Sequence, residues 1–156
     1  MLTTGEWAAS RLRHAFRDAT LLETALTHRS AGRRNYERLE FVGDAVLNFA
    51  VAALLYRDCP DADEGELSRY RAALVSGASL AAVATELGLG EQLRLGGGEM
   101  KSGGHRRSSI LADALEALFG AVYVDGGTGA AVAVIESLLA GRLDALPQAQ
   151  ELKDPK

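Results

Sequence analysis

The chain has 156 residues, 47% hydrophobic and 24% charged, enough for one domain with a real core and ordinary for a globular protein. Seventeen basic residues against 21 acids leave a net charge of −4, which argues against a generic nucleic-acid binder. The longest apolar run, 45–55, is interrupted by Asn48 and falls short of the roughly 20 residues of a membrane span; Met1–Glu6 has no signal-peptide character, and the single Cys59 cannot form an internal disulfide, so a cytoplasmic protein without membrane contact is expected.

In chain order, Thr4 to Phe16 predicts a first helix with Trp7, Leu12 and Phe16 toward the core. Asp18 is placed to cap a short second helix carrying Leu21, Leu22, Ala25 and Leu26. The polar, basic stretch 27–35 reads as a loop, with His28 as a hydrogen-bonded anchor; a catalytic role lacks a visible partner.

The central helix, from Tyr36 to about Arg57, sorts into two faces. Leu39, Val42, Val46, Leu47, Phe49, Ala50, Ala53 and Leu54 form an apolar arc, while Glu37, Glu40, Asp44 and Asn48 share the opposite stripe. Like charges at helical spacing repel by a few tenths of a kcal/mol each, and no lysine dilutes them. Gly43 costs the helix interior roughly 1 kcal/mol against alanine, which implies close packing there. Phe41 projects with the acids rather than the core, as expected for a contact with a second subunit.

Pro60 ends this helix, and Asp61–Glu66 makes an acidic cap for the next one; the spacing of an EF-hand loop is absent. Leu67–Val75 and Ser79–Leu87 predict two amphipathic helices, hinged near Ser76-Gly77 and stopped by Gly88 and Gly90. The stretch 96–107 reads as the long flexible loop of the chain. Its Lys101-Ser102 is preceded by Met100 rather than glycine, so it is no P-loop. A basic, glycine-rich loop suits a phosphate backbone, with Lys101, Arg106 and Arg107 as its contacts. Ser108 or Ser109 caps a helix to about Val124, on which Asp113 and Glu116 form a second undiluted acidic stripe, left unobstructed by Gly120. Asp125–Gly127 ends it, Ala130–Leu146 forms a last helix, and 148–156 turns polar like a linker. With no repeat and no period-two pattern, the fold class is all-α.

Carboxylates on two helices, without paired cysteines or a His-x3-His spacing, suit Mg²⁺ or Mn²⁺ rather than zinc. From the residues alone, metal-dependent phosphodiester chemistry and a purely structural acidic surface both stay open.

The segment Asn35-Tyr36-Glu37-Arg38-Leu39-Glu40-Phe41-Val42-Gly43-Asp44-Ala45-Val46-Leu47 resembles the signature motif of the ribonuclease III family of double-stranded-RNA endonucleases. Leu26–Ser30, Asp63–Ser68, Glu99–Gly104 and Ile110–Ala117 resemble further family segments, in family order, so the resemblance spans Leu12 to Leu146. It implies the family's all-helical endonuclease fold over 1–147 and a homodimer cutting both strands of duplex RNA. Glu40, Asp44, Asp113 and Glu116 match the metal-binding quartet, with Asp44 and Glu116 as catalytic residues; Glu37, Glu64 and Glu99 match outer acids, and Phe41 an aromatic that packs into the partner. The implied reaction uses Mg²⁺, which Mn²⁺ can replace, and leaves 5′-phosphate and 3′-hydroxyl ends with short 3′ overhangs, in ribosomal-precursor and messenger processing. A relative that only bound RNA would lack Asp44 or Glu116, and a mere dimerisation module leaves the acidic stripes unexplained. Bacterial members usually continue into a double-stranded-RNA-binding domain, and 148–156 resembles the start of that connection. Without such a domain, weak and salt-sensitive RNA binding is expected.

Overall fold

The computed structural model describes residues 1–146; the linker expected at 148–156 lies outside the described residues. Among the described residues the α-helical segments are α1 (Thr4–Trp7), α2 (Ala19–Ala25), α3 (Glu37–Asp58), α4 (Glu64–Leu74), α5 (Gly77–Glu86), α6 (Gly97–Lys101) and α7 (Ser108–Asp144), the last broken at Gly127. Among the described residues there is no β-strand, only an isolated parallel bridge between Thr27 and Arg94. The all-α class therefore holds.

The capping chemistry explains most boundaries. Asp18 accepts the Thr20 N–H at the start of α2. Asn35 Oδ1 takes the Glu37 N–H at 3.0 Å, which launches α3. Asp63 and Glu66 form a reciprocal capping box on α4, and Ser76 caps α5. The acidic cap expected at 61–66 is thus in place.

Four expectations need correction. The first helix does not reach Phe16: after Trp7 the chain widens into a π-helical turn, Ala8–Leu12, and stops at Arg13, whose φ of 62° is left-handed. That reversal brings His14 Nε2 within 2.8 Å of Asp125, which also accepts the N–H groups of Arg17 and Asp18. Burial opposes ionisation of Asp125, but these hydrogen bonds prevail and hold its carboxyl below the usual range. Second, 96–107 is not a flexible loop. It folds into α6 and a short 3₁₀ turn, Gly104–Arg106, because Gly96 lies against Ser30 and Glu99 pairs with Arg107 at 3.1 Å. Third, no serine caps α7. Arg107 takes the cap position; the break expected at Asp125–Gly127 is present, since two helical segments meet at the non-helical Gly127 (φ 88°), and only the start of the second segment falls earlier than the expected Ala130. Fourth, Phe49 and Ala53 lie outside the core; Phe49 is 58% exposed. The buried line of α3 runs instead through Leu39, Gly43, Leu47, Ala50, Val51, Leu54 and Leu55.

The core sits between α3 and α7, with α2 and α5 packed on α7 and α4 on α3. Trp7 closes one side, its indole N–H donating to the Leu87 carbonyl at 2.8 Å. Arg57 on α3 reaches Glu136 on α7 at 2.6 Å. By length and composition alone α3 and α7 are apolar enough to cross a membrane, which the sequence reading did not register because polar residues such as Asn48 break up the apolar run. Here they are the packed central pair, and they carry the acids.

Candidate metal centre

Two glycines decide how closely α3 and α7 cross. A Cβ on Gly43 would overlap the Glu116 carbonyl oxygen, lie 2.6 Å from its carbon and 3.0 Å from the Gly120 nitrogen. A Cβ on Gly120 would overlap the Leu39 carbonyl oxygen and lie 3.0 Å from the Gly43 nitrogen. The helices therefore meet backbone to backbone. Gly43 plays the close-packing part expected of it; Gly120, read as clearing space for acids, is instead the other half of this contact.

This contact aligns the two acidic stripes. One carboxylate oxygen each from Glu40, Asp113 and Glu116 fall within 4.8 Å of one another. Asp44 joins from one turn further along α3, hydrogen-bonded to Glu116. Its backbone carbonyl accepts from Asn48 Nδ2 at 2.9 Å. Burial, with the neighbouring charge of Asp113 and a hydrogen bond to it, pushes Glu40 up to about 7. Burial, then the hydrogen bond and charge of Asp44, push Glu116 up to about 8. Without a cation, Glu40 and Glu116 thus resist ionisation beside Asp113 and Asp44.

A hollow of about 290 Å³ opens beside Glu40 and Asp113. Glu37 and Glu99 line it, as do Arg29 and Arg107, with His28 and Tyr36 at its wall. Burial, followed by the charges of Asp113 and Glu40, pushes the Tyr36 phenol well above its usual range. Of the outer acids, Glu37 and Glu99 therefore sit near the quartet. Glu64, exposed in the first turn of α4, does not line the hollow. Of the basic residues proposed for RNA, Arg107 faces the hollow. Lys101 does not, and Arg106 lines a separate groove with Glu91 and His105. Arg29 and the Glu99–Arg107 pair escaped the sequence reading, which treated 96–107 as unstructured; the tight Gly96–Ser30 approach is the feature that orders it.

Phe41 points away from all of this and is 83% exposed. With Ala45, Phe49 and Tyr56 it falls within an arc of about 80° along α3. Beside it lies a hollow of about 740 Å³, floored by Leu21, Leu39, Val42 and Val124 and rimmed by Arg33, Arg34 and Arg38. Glu37 lines both hollows.

A family model described as Ribonuclease-III-like matches residues 18–143, which include every acid of the quartet and the helices that present them. The chain belongs to the ribonuclease III family. It is 57% identical over 153 residues to Ribonuclease 3 of Dechloromonas aromatica, and 55% identical over 156 to that of Alkalilimnicola ehrlichii. These matches cover 98% and 100% of the chain but 69% and 68% of the relatives. The fold agrees with a crystal structure of the nuclease domain of ribonuclease III from Campylobacter jejuni, with a TM-score of 0.86 and 38% identity, covering 93% of this chain and 99% of that one. A second structure of that domain, described as flexible in a region involved in dimer formation, gives a TM-score of 0.84, 40% identity and coverage of 87% and 96%. The ribonuclease III fold is thus confirmed, and with it an enzyme of the RNA endonuclease class.

Proposed function

We propose that this ribonuclease III domain is a Mg²⁺-dependent endonuclease that acts as a homodimer on double-stranded RNA. The observation that carries the reading is the cluster of Glu40, Asp113 and Glu116, with Asp44 beside Glu116, held by a helix crossing that leaves room for no side chain. An all-oxygen donor set suits a hard divalent cation, Mg²⁺ or Mn²⁺, and these four residues would hold it. When bound, the ion supplies an activated water and charge stabilisation for the leaving oxygen.

The remaining work falls to the protein. Asp44 and Glu116 are the proposed catalytic residues, and Glu116 must give up its proton before it can ligate. Arg107 and Arg29 put positive charge on the wall where a phosphate would enter, and Glu99 orients Arg107. Glu37 and Glu99 border the quartet without joining it. Lys101 and Arg106, outside the hollow, would meet the RNA backbone further along the duplex. Glu64, remote from this subunit's hollow, is assigned only an outer role. In a two-fold dimer each Phe41 would enter the other subunit's 740 Å³ hollow. Paired sites would then cut opposite strands, leaving 5′-phosphate and 3′-hydroxyl ends with short 3′ overhangs. Processing of ribosomal precursors and structured messages in the cytoplasm is the corresponding cellular role, with no membrane component.

The test is cleavage of a long, labelled RNA duplex at low salt, with Mg²⁺ or chelator, by the unmodified chain and by Glu116→Gln. The reading expects Mg²⁺-dependent duplex products, and a loss of about 10³-fold in the variant, the rate equivalent of about 4 kcal/mol of charge stabilisation. An unmodified chain that leaves the duplex intact at high enzyme concentration overturns it.

A further inference from the structure

His28 is buried on the wall of the proposed catalytic hollow, only 8% exposed. Its backbone is already anchored: its N–H donates to the Arg94 carbonyl at 2.9 Å, and its carbonyl accepts the Ala31 N–H at 2.9 Å. The ring adds something an anchor does not require. Nδ1 accepts the Ser30 N–H at 3.1 Å and lies 2.8 Å from the Ser30 hydroxyl. That hydroxyl accepts the Gly96 N–H at 2.9 Å, so its own proton is free to point at Nδ1. Two donors on Nδ1 leave the imidazole neutral, with its proton on Nε2. Gly96 lies tight against Ser30, where a Cβ would sit 3.0 Å from the Ser30 carbonyl carbon, so a larger residue would push the two apart. Tyr36 holds the ring edge-on, with centroids 5.7 Å apart and planes at 77°.

With Nδ1 turned to Ser30, the opposite edge of the ring, which carries Nε2–H, is what His28 offers to the hollow. We infer that His28 donates a hydrogen bond from Nε2 to a non-bridging oxygen of the scissile phosphate. A neutral donor suits this place better than another cation would. Glu40 and Asp113 open on the same hollow, and a fixed positive charge there would compete with a metal ion for them. A preorganised N–H instead gives direction without charge, which is how fixed dipoles stabilise charge that grows during a reaction. This assignment rests on the endonuclease reading and deepens it with a substrate-contacting residue outside the acidic quartet.

Two variants separate the two edges of the ring. Asn at 28 places its side-chain oxygen where Nδ1 accepts from Ser30 but has no group at Nε2; Gln places an amide N–H near Nε2 but loses the Ser30 acceptor. Duplex-RNA cleavage under Mg²⁺ is measured as kcat and KM, beside thermal melting. His28→Asn is expected to keep its melting temperature and KM and lose about 10²-fold in kcat, the effect of removing one fixed donor. His28→Gln should recover part of kcat while melting lower. A second readout needs no turnover: in the Glu116→Gln background, the His28 Nε2–H resonance should shift when RNA duplex is added. If the unmodified chain cuts and His28→Asn cuts equally well, or loses rate only in step with its melting temperature, the inference fails. A resonance that ignores the duplex while RNA is bound also defeats it. If the unmodified chain does not cut at all, the endonuclease reading fails instead.

Discussion

Replacing Glu116 with glutamine should make the metal-free domain more stable at pH 8, although it removes a residue central to the site. Glu116 is raised from an ordinary 4.5 to about 8. Between those values the folded chain holds a proton that the unfolded chain has released, so stability falls as pH rises through this window. Taken whole, the displacement corresponds to nearly 5 kcal/mol, at about 1.4 kcal/mol per tenfold change. Glu116 is only half-buried, and solvent screening cuts this to about 2 kcal/mol. Glutamine keeps the hydrogen bond to Asp44 and has no charge to bury. Melting followed by circular dichroism in chelator, at pH 5 and pH 8, should show the two proteins alike at pH 5. At pH 8 the variant should melt about 4–8 °C higher. Titrating groups remote from the cluster cancel in the difference between the two proteins, whereas Glu40, whose charge acts on Glu116, contributes to it. Adding Mg²⁺ at pH 8 should raise the unmodified chain more than the variant, because the cation takes over the role of the proton on Glu116. A variant that melts lower than the unmodified chain at both pH values would refute the reasoning, since the acid would then contribute stability rather than cost it.

Two further outcomes follow from the helix faces. Gly43→Ala should cost about 3 kcal/mol or more by circular-dichroism melting, because its methyl meets the Glu116 carbonyl and the gain of up to about 1 kcal/mol in helix propensity cannot offset forced separation of α3 and α7. Melting unchanged within about 1 °C would contradict the backbone contact. Phe41→Ala should leave monomer stability nearly unchanged, since the ring is 83% exposed, but weaken self-association by about 10³-fold in sedimentation, counting about 2 kcal/mol for each of two buried rings; an unaltered dimer would remove Phe41 from the interface.

Much of this was legible in the chain itself. Helical periodicity gave α3, α4 and α5, and the starts of the last two are set locally, Asp63 accepting the Glu66 N–H and Ser76 the Ser79 N–H. The acids declared themselves by like-charge spacing, and Gly43 by its cost in a helix interior. What the pattern could not carry was non-local. The order of 96–107 comes from Ser30, 66 residues away, accepting the Gly96 N–H. The reversal at Arg13 is held by Asp125, more than a hundred residues on. Phe49 was misplaced because apolar character alone cannot distinguish a ring that faces the core from one that faces outward. Gly120 was noticed but misread, since its reason lies on the other helix.

That last case joins the fold to the chemistry. Helices that pack through ordinary side chains sit about 8–10 Å apart, and acids on their flanks stay in water with ordinary affinities for protons. Here Gly43 and Gly120 bring the two backbones into contact. At that distance Glu40 and Glu116 are desolvated against Asp113 and Asp44, which raises both well above the carboxylate norm. On the proposed reading, the repulsion that makes the stripes unfavourable in isolation would become affinity, since carboxyls that resist ionising alone could do so around a divalent cation. Two residues with no side chain of their own thus set the ionisation of the four that hold the charge.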